Sequence, residues 1–141
     1  MNADPFDLER FVVAQEGIYE AVVRELRAGR KTSHWMWFVF PQIAGLGTSS
    51  MSRRYALSGL DEARAYLAHP VLGPRLLDCA GLVLAASTRS ADEMFGYVDA
   101  MKLRSSMTLF ARADPDEPVF RDVLDRFFGG AADEATDFRL E

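Results

Sequence analysis

Cysteine is almost absent from this chain: Cys79 stands alone among 141 residues, so no intramolecular disulfide can form. Histidine is nearly as scarce. His34 and His69 stand 35 positions apart, and with a solitary thiol they offer no cluster at metal-ligand spacing, so no metal and no cofactor is expected. The zinc-deaminase pattern is missing as well. Long apolar runs are lacking too, since none approaches the roughly 20 residues that cross a bilayer. The opening MNADPFDLER has neither the basic flank nor the apolar stretch of a signal peptide. A cytoplasmic protein with no membrane partner is the expectation. Positive charge is in short supply overall, with 16 Lys and Arg against 21 Asp and Glu, a net charge of −5 and a pI near 5.1. That balance excludes a DNA-coating protein, whose affinity rests on counterion release at a basic surface.

What the chain has in quantity is apolar surface. Forty-nine per cent of its residues are hydrophobic and 11% aromatic, which excludes disorder as the resting state and suits one domain of this length. Repeats, low-complexity tracts and long flexible linkers are missing, so residues 1–141 read as a single domain. The charge is unevenly spread. Residues 24–54 carry Arg24, Arg27, Arg30, Lys31, Arg53 and Arg54 against Glu25 alone, whereas both ends are acidic. These cations either pair with the acidic termini or form a solvated, electropositive face.

The punctuation is helical. Asp4-Pro5 reads as a cap and first helical residue. Leu8, Phe11, Val12, Ile18, Tyr19, Val22, Val23 and Leu26 then recur at spacings near three and four, with Gly17 as a break and Gly29 as a stop. Ser58 opens a helix that must end before Pro70. Another runs from Pro74 to Ala86, and Ala100–Arg112 forms a further, mostly buried one. Ser90-Ala-Asp-Glu93 and Asp114-Pro-Asp-Glu117 are capping-box patterns, the second opening a helix stopped by Gly129-Gly130. His34-Trp-Met-Trp-Phe-Val-Phe40 has strand propensity but nothing to pair with, so a short buried helix ended by Pro41 is favoured. The fold class expected is all-α, a multi-helical single domain.

Three segments have the makings of a site. In Gly29-Arg-Lys-Thr-Ser-His-Trp35 a cationic turn meets the most hydrophobic stretch, where Arg30 and Lys31 can hold an anion and Ser33, as a cap, can expose helix N-terminal amides. His34 can exchange a proton near neutral pH. The alternative is a capped helix start with a satisfied histidine. In Gly45-Leu-Gly-Thr-Ser-Ser-Met-Ser-Arg-Arg54, Ser49, Ser52 and Arg53 can bind carboxylate or phosphate, yet P-loop spacing is absent and, taken alone, the segment fits an ordinary exposed loop better. In Asp99–Phe110, Lys102, Ser105, Ser106 and Thr108 sit among apolar neighbours, which calls for buried hydrogen bonds or a ligand. Cys79, among leucines, reads as core, and His69 before Pro70 as a helix-end group that suits the helix dipole when protonated.

The same segments carry a resemblance. Gly29-Arg-Lys-Thr-Ser-His-Trp-Met-Trp-Phe-Val-Phe-Pro-Gln42, Gly45-Leu-Gly47, Glu62-Ala-Arg-Ala-Tyr-Leu-Ala-His-Pro70, Lys102-Leu-Arg-Ser-Ser-Met-Thr-Leu-Phe110 and Asp133 with Thr136 resemble the bacterial domain-of-unknown-function family 1810. The resemblance implies a multi-helical single domain and no established reaction. The calpastatin label often given to such proteins denotes a disordered inhibitor and does not fit so apolar a chain.

Together these readings lead to a site for an anionic, nucleotide- or phosphate-like small molecule. Lys31, Arg53 and Lys102 supply charge, Ser33, Ser49, Ser52, Ser105 and Ser106 hydrogen bonds, Trp35 or Trp37 an aromatic wall, and His34 a proton-transfer group if there is catalysis. A protein–protein interaction module without catalysis is the alternative. RNA binding through residues 24–54 is a third reading. The oligomeric state is not legible in the sequence.

Overall fold

The computed structural model describes residues 3–141, and among them there are ten helices and no strands. In chain order these are α1 (Glu9–Gln15), α2 (Tyr19–Arg27), α3 (Met36–Val39), α4 (Ser50–Arg54), α5 (Leu60–Ala68), α6 (Leu72–Ala85), α7 (Ala91–Phe95), α8 (Tyr97–Ala113), α9 (Val119–Phe128) and α10 (Glu134–Leu140). The one β-type pairing among the described residues is an isolated bridge between Ile43 and Leu57. Among the same residues no single helix is long and apolar enough to cross a membrane.

The longest helix, α8, is the axis of the molecule. Leu103 and every residue from Ser105 to Ala111 are buried, and a helix buried on all sides must be packed by neighbours on all sides. Helices α5, α7, α9 and α10 supply that packing. A chain of ring contacts runs through the core from Phe11 to Tyr66, from Tyr66 to Phe110 and from Phe110 to Phe120, with centroids 5.1, 5.5 and 5.7 Å apart. Helix α6 comes so close to α5 that a Cβ on Gly73 would lie 2.1 Å from the Leu67 carbonyl oxygen.

Several expected boundaries move, each for a local reason. Asp4 does act as a cap, but its carboxylate accepts the amides of Leu8 and Glu9 at 2.8 and 3.0 Å, so the helix starts at Glu9 rather than Pro5. Gly17, at φ +76°, separates α1 from α2. Ser90 caps α7, its Oγ accepting the Glu93 amide at 3.0 Å. The Asp114 box does not form. Asp114 ends α8, and α9 begins only after Pro118, because a proline steers the residue before it away from helical dihedrals. Residues 50–54, read as a loop, form the short helix α4, with Ser49 Oγ accepting the Ser52 amide at 3.1 Å. His69 closes α5 as expected, its amide donating to the Tyr66 carbonyl at 3.2 Å, and it also caps the start of α6: its Nδ1 accepts the amides of Val71 and Leu72 at 3.1 and 3.2 Å.

Candidate functional site

The segment from Gly29 to Phe40 is organised by an acid that its own composition made conspicuous. Glu25, the one carboxylate in the basic stretch, falls on the buried stripe of α2 with Val22 and Leu26. After Gly29 turns the chain at φ +70°, the strand of backbone that follows folds back over it. Glu25 Oε1 accepts the amides of Thr32 and Ser33 at 2.7 and 2.9 Å and the indole Nε1–H of Trp35 at 3.1 Å, while Oε2 accepts the Ser33 hydroxyl at 2.6 Å. Burial alone would raise this carboxyl, but the four donors outweigh it and hold the pKa down at about 2. The amides expected at Ser33 as a cradle for an external anion are therefore filled by the protein's own carboxylate. The helix that follows starts at Met36, with Trp35 at its cap.

This clamp fixes Trp35 in the core, 1% exposed and 6.2 and 6.4 Å from the rings of Phe40 and Phe95. It also aims Lys31. The Lys31 amide donates to the Met94 carbonyl at 2.8 Å, and its ammonium donates to the Ser33 carbonyl at 2.6 Å. The same Nζ lies 2.8 Å from Asp99 Oδ2 and 5.1 Å from the centre of the Trp35 ring, with the side chain only 7% exposed. From the other side comes Lys102, one turn along α8 from Asp99. Its Nζ lies 3.4 Å from Asp99 Oδ1 and 4.9 Å from the centre of the Trp37 ring. Two ammoniums thus share one carboxylate, each over an indole face, where a cation is attracted by the ring quadrupole. The formal charge of these three side chains is +1, and the Glu25 carboxylate lies on the far side of Ser33 and Trp35. Asp99, which the sequence did not single out as a site residue, is the centre of the cluster; its i,i+3 spacing to Lys102 was the available signal. His34 is exposed beside the cluster in sequence, and its ring has no protein partner among the described residues.

The other expected contributors go elsewhere. Ser49 and Ser52 bond to each other, Oγ to Oγ at 2.9 Å, and Arg53 is exposed. Helix α4 is tied down through Arg10, whose Nε donates to the Arg54 carbonyl at 2.9 Å. No hydrogen bond, ion pair or ring contact joins Ser49, Ser52 or Arg53 to Lys31, Trp35, Trp37 or Lys102 among the described residues. The two glycines before them serve packing: Arg139 lies against Gly45 and donates to its carbonyl at 3.1 Å, and Ser52 lies against Gly47. Ser105 Oγ donates to the Met101 carbonyl at 3.1 Å and lies 3.2 Å from Asp133 Oδ2. Asp133 in turn caps α10 by accepting the Thr136 amide at 3.0 Å. Ser106, one turn beyond Lys102, is fully buried, and its Oγ has no hydrogen-bond partner.

Of the six cations in residues 24–54, Lys31 alone forms an ion pair among the described residues, and its partner lies on α8 rather than at a terminus. Arg24, Arg27, Arg30, Arg53 and Arg54 remain at the surface. A hollow of about 550 Å³ lies apart from the lysine pair, between α2 and α6, lined by Tyr19, Val23, Arg27, Leu77 and Leu82 among others. None of the expected site residues lines it. No group of His, Cys, Asp and Glu able to hold a metal ion occurs among the described residues.

The fold and this cluster define a single all-α domain in which an aromatic segment is locked to a central helix by paired lysines. The chain belongs to the family described as protein of unknown function DUF1810, whose sequence profile matches residues 5–140. It is also similar to the conserved hypothetical protein Rv1873 from Mycobacterium tuberculosis, known from a crystal structure. The two are 55% identical, the match covers 97% of this chain and 98% of that one, and the TM-score is 0.95. No curated protein matches the chain.

Proposed function

We propose that the protein binds an anionic small molecule of phosphate or nucleotide type at the Lys31–Lys102 pair. The observation that carries this reading is the convergence of two ammoniums from different elements on one carboxylate, 2.8 and 3.4 Å away, so that within this group of three the cations outnumber the carboxylate. Lys31 is held in place by the Glu25 clamp and by Asp99 rather than waving in solvent, so little side-chain entropy is left to lose on binding. Trp37, half-buried under Lys102, supplies an aromatic wall. His34 is the group in this segment equipped to move a proton.

A thermal-shift screen against nucleotides, sugar phosphates and ADP-ribose derivatives tests the reading, because a ligand present at about 100 times its Kd stabilises the native state by ~2.7 kcal/mol. The shift is expected to vanish in Lys31→Ala and Lys102→Ala and to persist in Arg53→Ala. A shift that survives both lysine changes, or none with any anion, overturns it. The second reading, a docking face for a protein partner, draws on Tyr97 and Val98. These are 69% and 65% exposed just before Asp99, and the absence of any anion-induced shift is what that reading expects.

A further inference from the structure

Asp99 occupies the position that a bound anion would take. Its two carboxylate oxygens are divided between the two lysines, Oδ2 at 2.8 Å from Lys31 and Oδ1 at 3.4 Å from Lys102. It sits in the first turn of α8, a helix of 17 residues, where the N-terminal dipole also favours negative charge. The side chains of Asp99 and Lys102 are 21% and 20% exposed, against 7% for Lys31. The Asp99 side chain is therefore more open to solvent than that of Lys31, and displacing its carboxylate needs only a change of side-chain rotamer, not of the backbone.

We infer that Asp99 is a tethered competitor that makes the paired-lysine site select phosphate dianions over carboxylates. The inference rests on the anion-binding reading above. A free monocarboxylate that displaces Asp99 brings the same charge and the same two oxygens. It must also give up translational freedom, which the tethered group has already lost. It gains nothing. A phosphomonoester brings nearly two charges and three acceptor oxygens, so it can engage both ammoniums at once and still exceed what Asp99 offers. Selection here operates against the wrong ligand as well as for the right one.

The chain's two tryptophans both lie under the lysines concerned, so intrinsic fluorescence reports occupancy directly. The experiment titrates inorganic phosphate and acetate, at pH 8 and fixed ionic strength, into the wild-type protein and Asp99→Asn, with circular dichroism confirming the fold of each. The wild type is expected to respond to phosphate and not to acetate. Asp99→Asn is expected to bind acetate, and to bind phosphate roughly tenfold more tightly, as for a competitor worth one decade in affinity. Asp99→Glu, which retains the carboxylate, is expected to keep acetate out. Asp99→Ser makes the same comparison if the amide does not fold. Wild-type binding of acetate as tight as phosphate overturns the inference, as does an Asp99→Asn protein that still rejects acetate, and in both cases the anion site itself stands. Silence from every protein toward both anions overturns the anion-binding reading and the inference together.

Discussion

The indole of Trp35 donates to the carboxylate of Glu25 across 3.1 Å, and this bond links the end of α2 to the aromatic segment that follows it. Glu25 is 7% exposed and Trp35 1%. A carboxylate in such a place is tolerated only because every bond it makes is to a donor; removing the charge leaves four donors facing a poorer acceptor. Glu25→Gln keeps the shape, loses the charge and turns an amide N–H toward one of those donors. A loss of about 2–3 kcal/mol in unfolding free energy is expected, measured by urea titration, and a loss below ~0.5 kcal/mol would show that the clamp is not what holds the segment.

The same clamp predicts how stability depends on acid. The Glu25 carboxyl falls from its ordinary 4.5 to about 2 in the folded protein. A carboxylate whose pKa is depressed on folding stabilises the native state above its unfolded pKa, and that contribution drains away as pH falls from 4.5 toward 2. Over that window the wild type is expected to lose up to about 3 kcal/mol from this group. Glu25→Gln should lose correspondingly less over the same range, so the two proteins' stabilities converge in acid, which urea melts at pH 7, 4 and 2.5 will show.

Gly73 carries a different demand. A Cβ there would meet the Leu67 carbonyl oxygen at 2.1 Å, and that atom is backbone, which cannot swing aside as a side chain would. Gly73→Ala improves intrinsic helix propensity yet must push α6 away from α5. The expected net effect is a destabilisation of at least ~2 kcal/mol, with a Tm lowered by several degrees. An unchanged or raised Tm would mean that the two helices have room to part.

How much of this was legible in the sequence depended on whether the signal was local. The Ser90 cap, the Gly17 break and the short helix before Pro41 could all be read, because each is decided by residues within one turn. The Asp114 pattern misled because Pro118 lies just past the motif and overrides it. Lys31 and Lys102 were marked as candidates individually, but nothing in the sequence says that residues 71 positions apart share a carboxylate. Ser49, Ser52 and Arg53 were grouped with them on chemistry alone, and packing through Arg10, Gly45 and Gly47 directs that segment elsewhere. Glu25 was visible as the lone acid among cations. Its burial was predictable from the Val22–Leu26 stripe, though its donors, seven to ten residues downstream, were not.

His69 tests whether an imidazole really opens α6. Its Nδ1 accepts two amides, at 3.1 Å from Val71 and 3.2 Å from Leu72, so the ring must present an unprotonated nitrogen there and act as Asp or Asn would at an N-cap. His69→Ala is expected to cost about 1 kcal/mol, and His69→Asn to recover most of it, both measured by thermal or urea unfolding. Equal losses in the two variants would place the role of the ring in packing instead.

Cys79 allows the closest check on core burial. Its side chain is fully buried, burial pushes the thiol up to about 12, and the Tyr19 hydroxyl, 3.9 Å away, only partly offsets that. The thiolate is the reactive form, so at pH 8 the folded protein presents almost none of it, and a reagent must wait for the structure to open. Alkylation by iodoacetamide is therefore expected to be at least ~100-fold slower in native protein than in 8 M urea. Gly73→Ala, by loosening α6 against α5, is expected to speed it. Native alkylation at the rate of the unfolded chain would mean that α6 opens freely between α2 and α9, and that the apolar packing around Cys79 does not protect it.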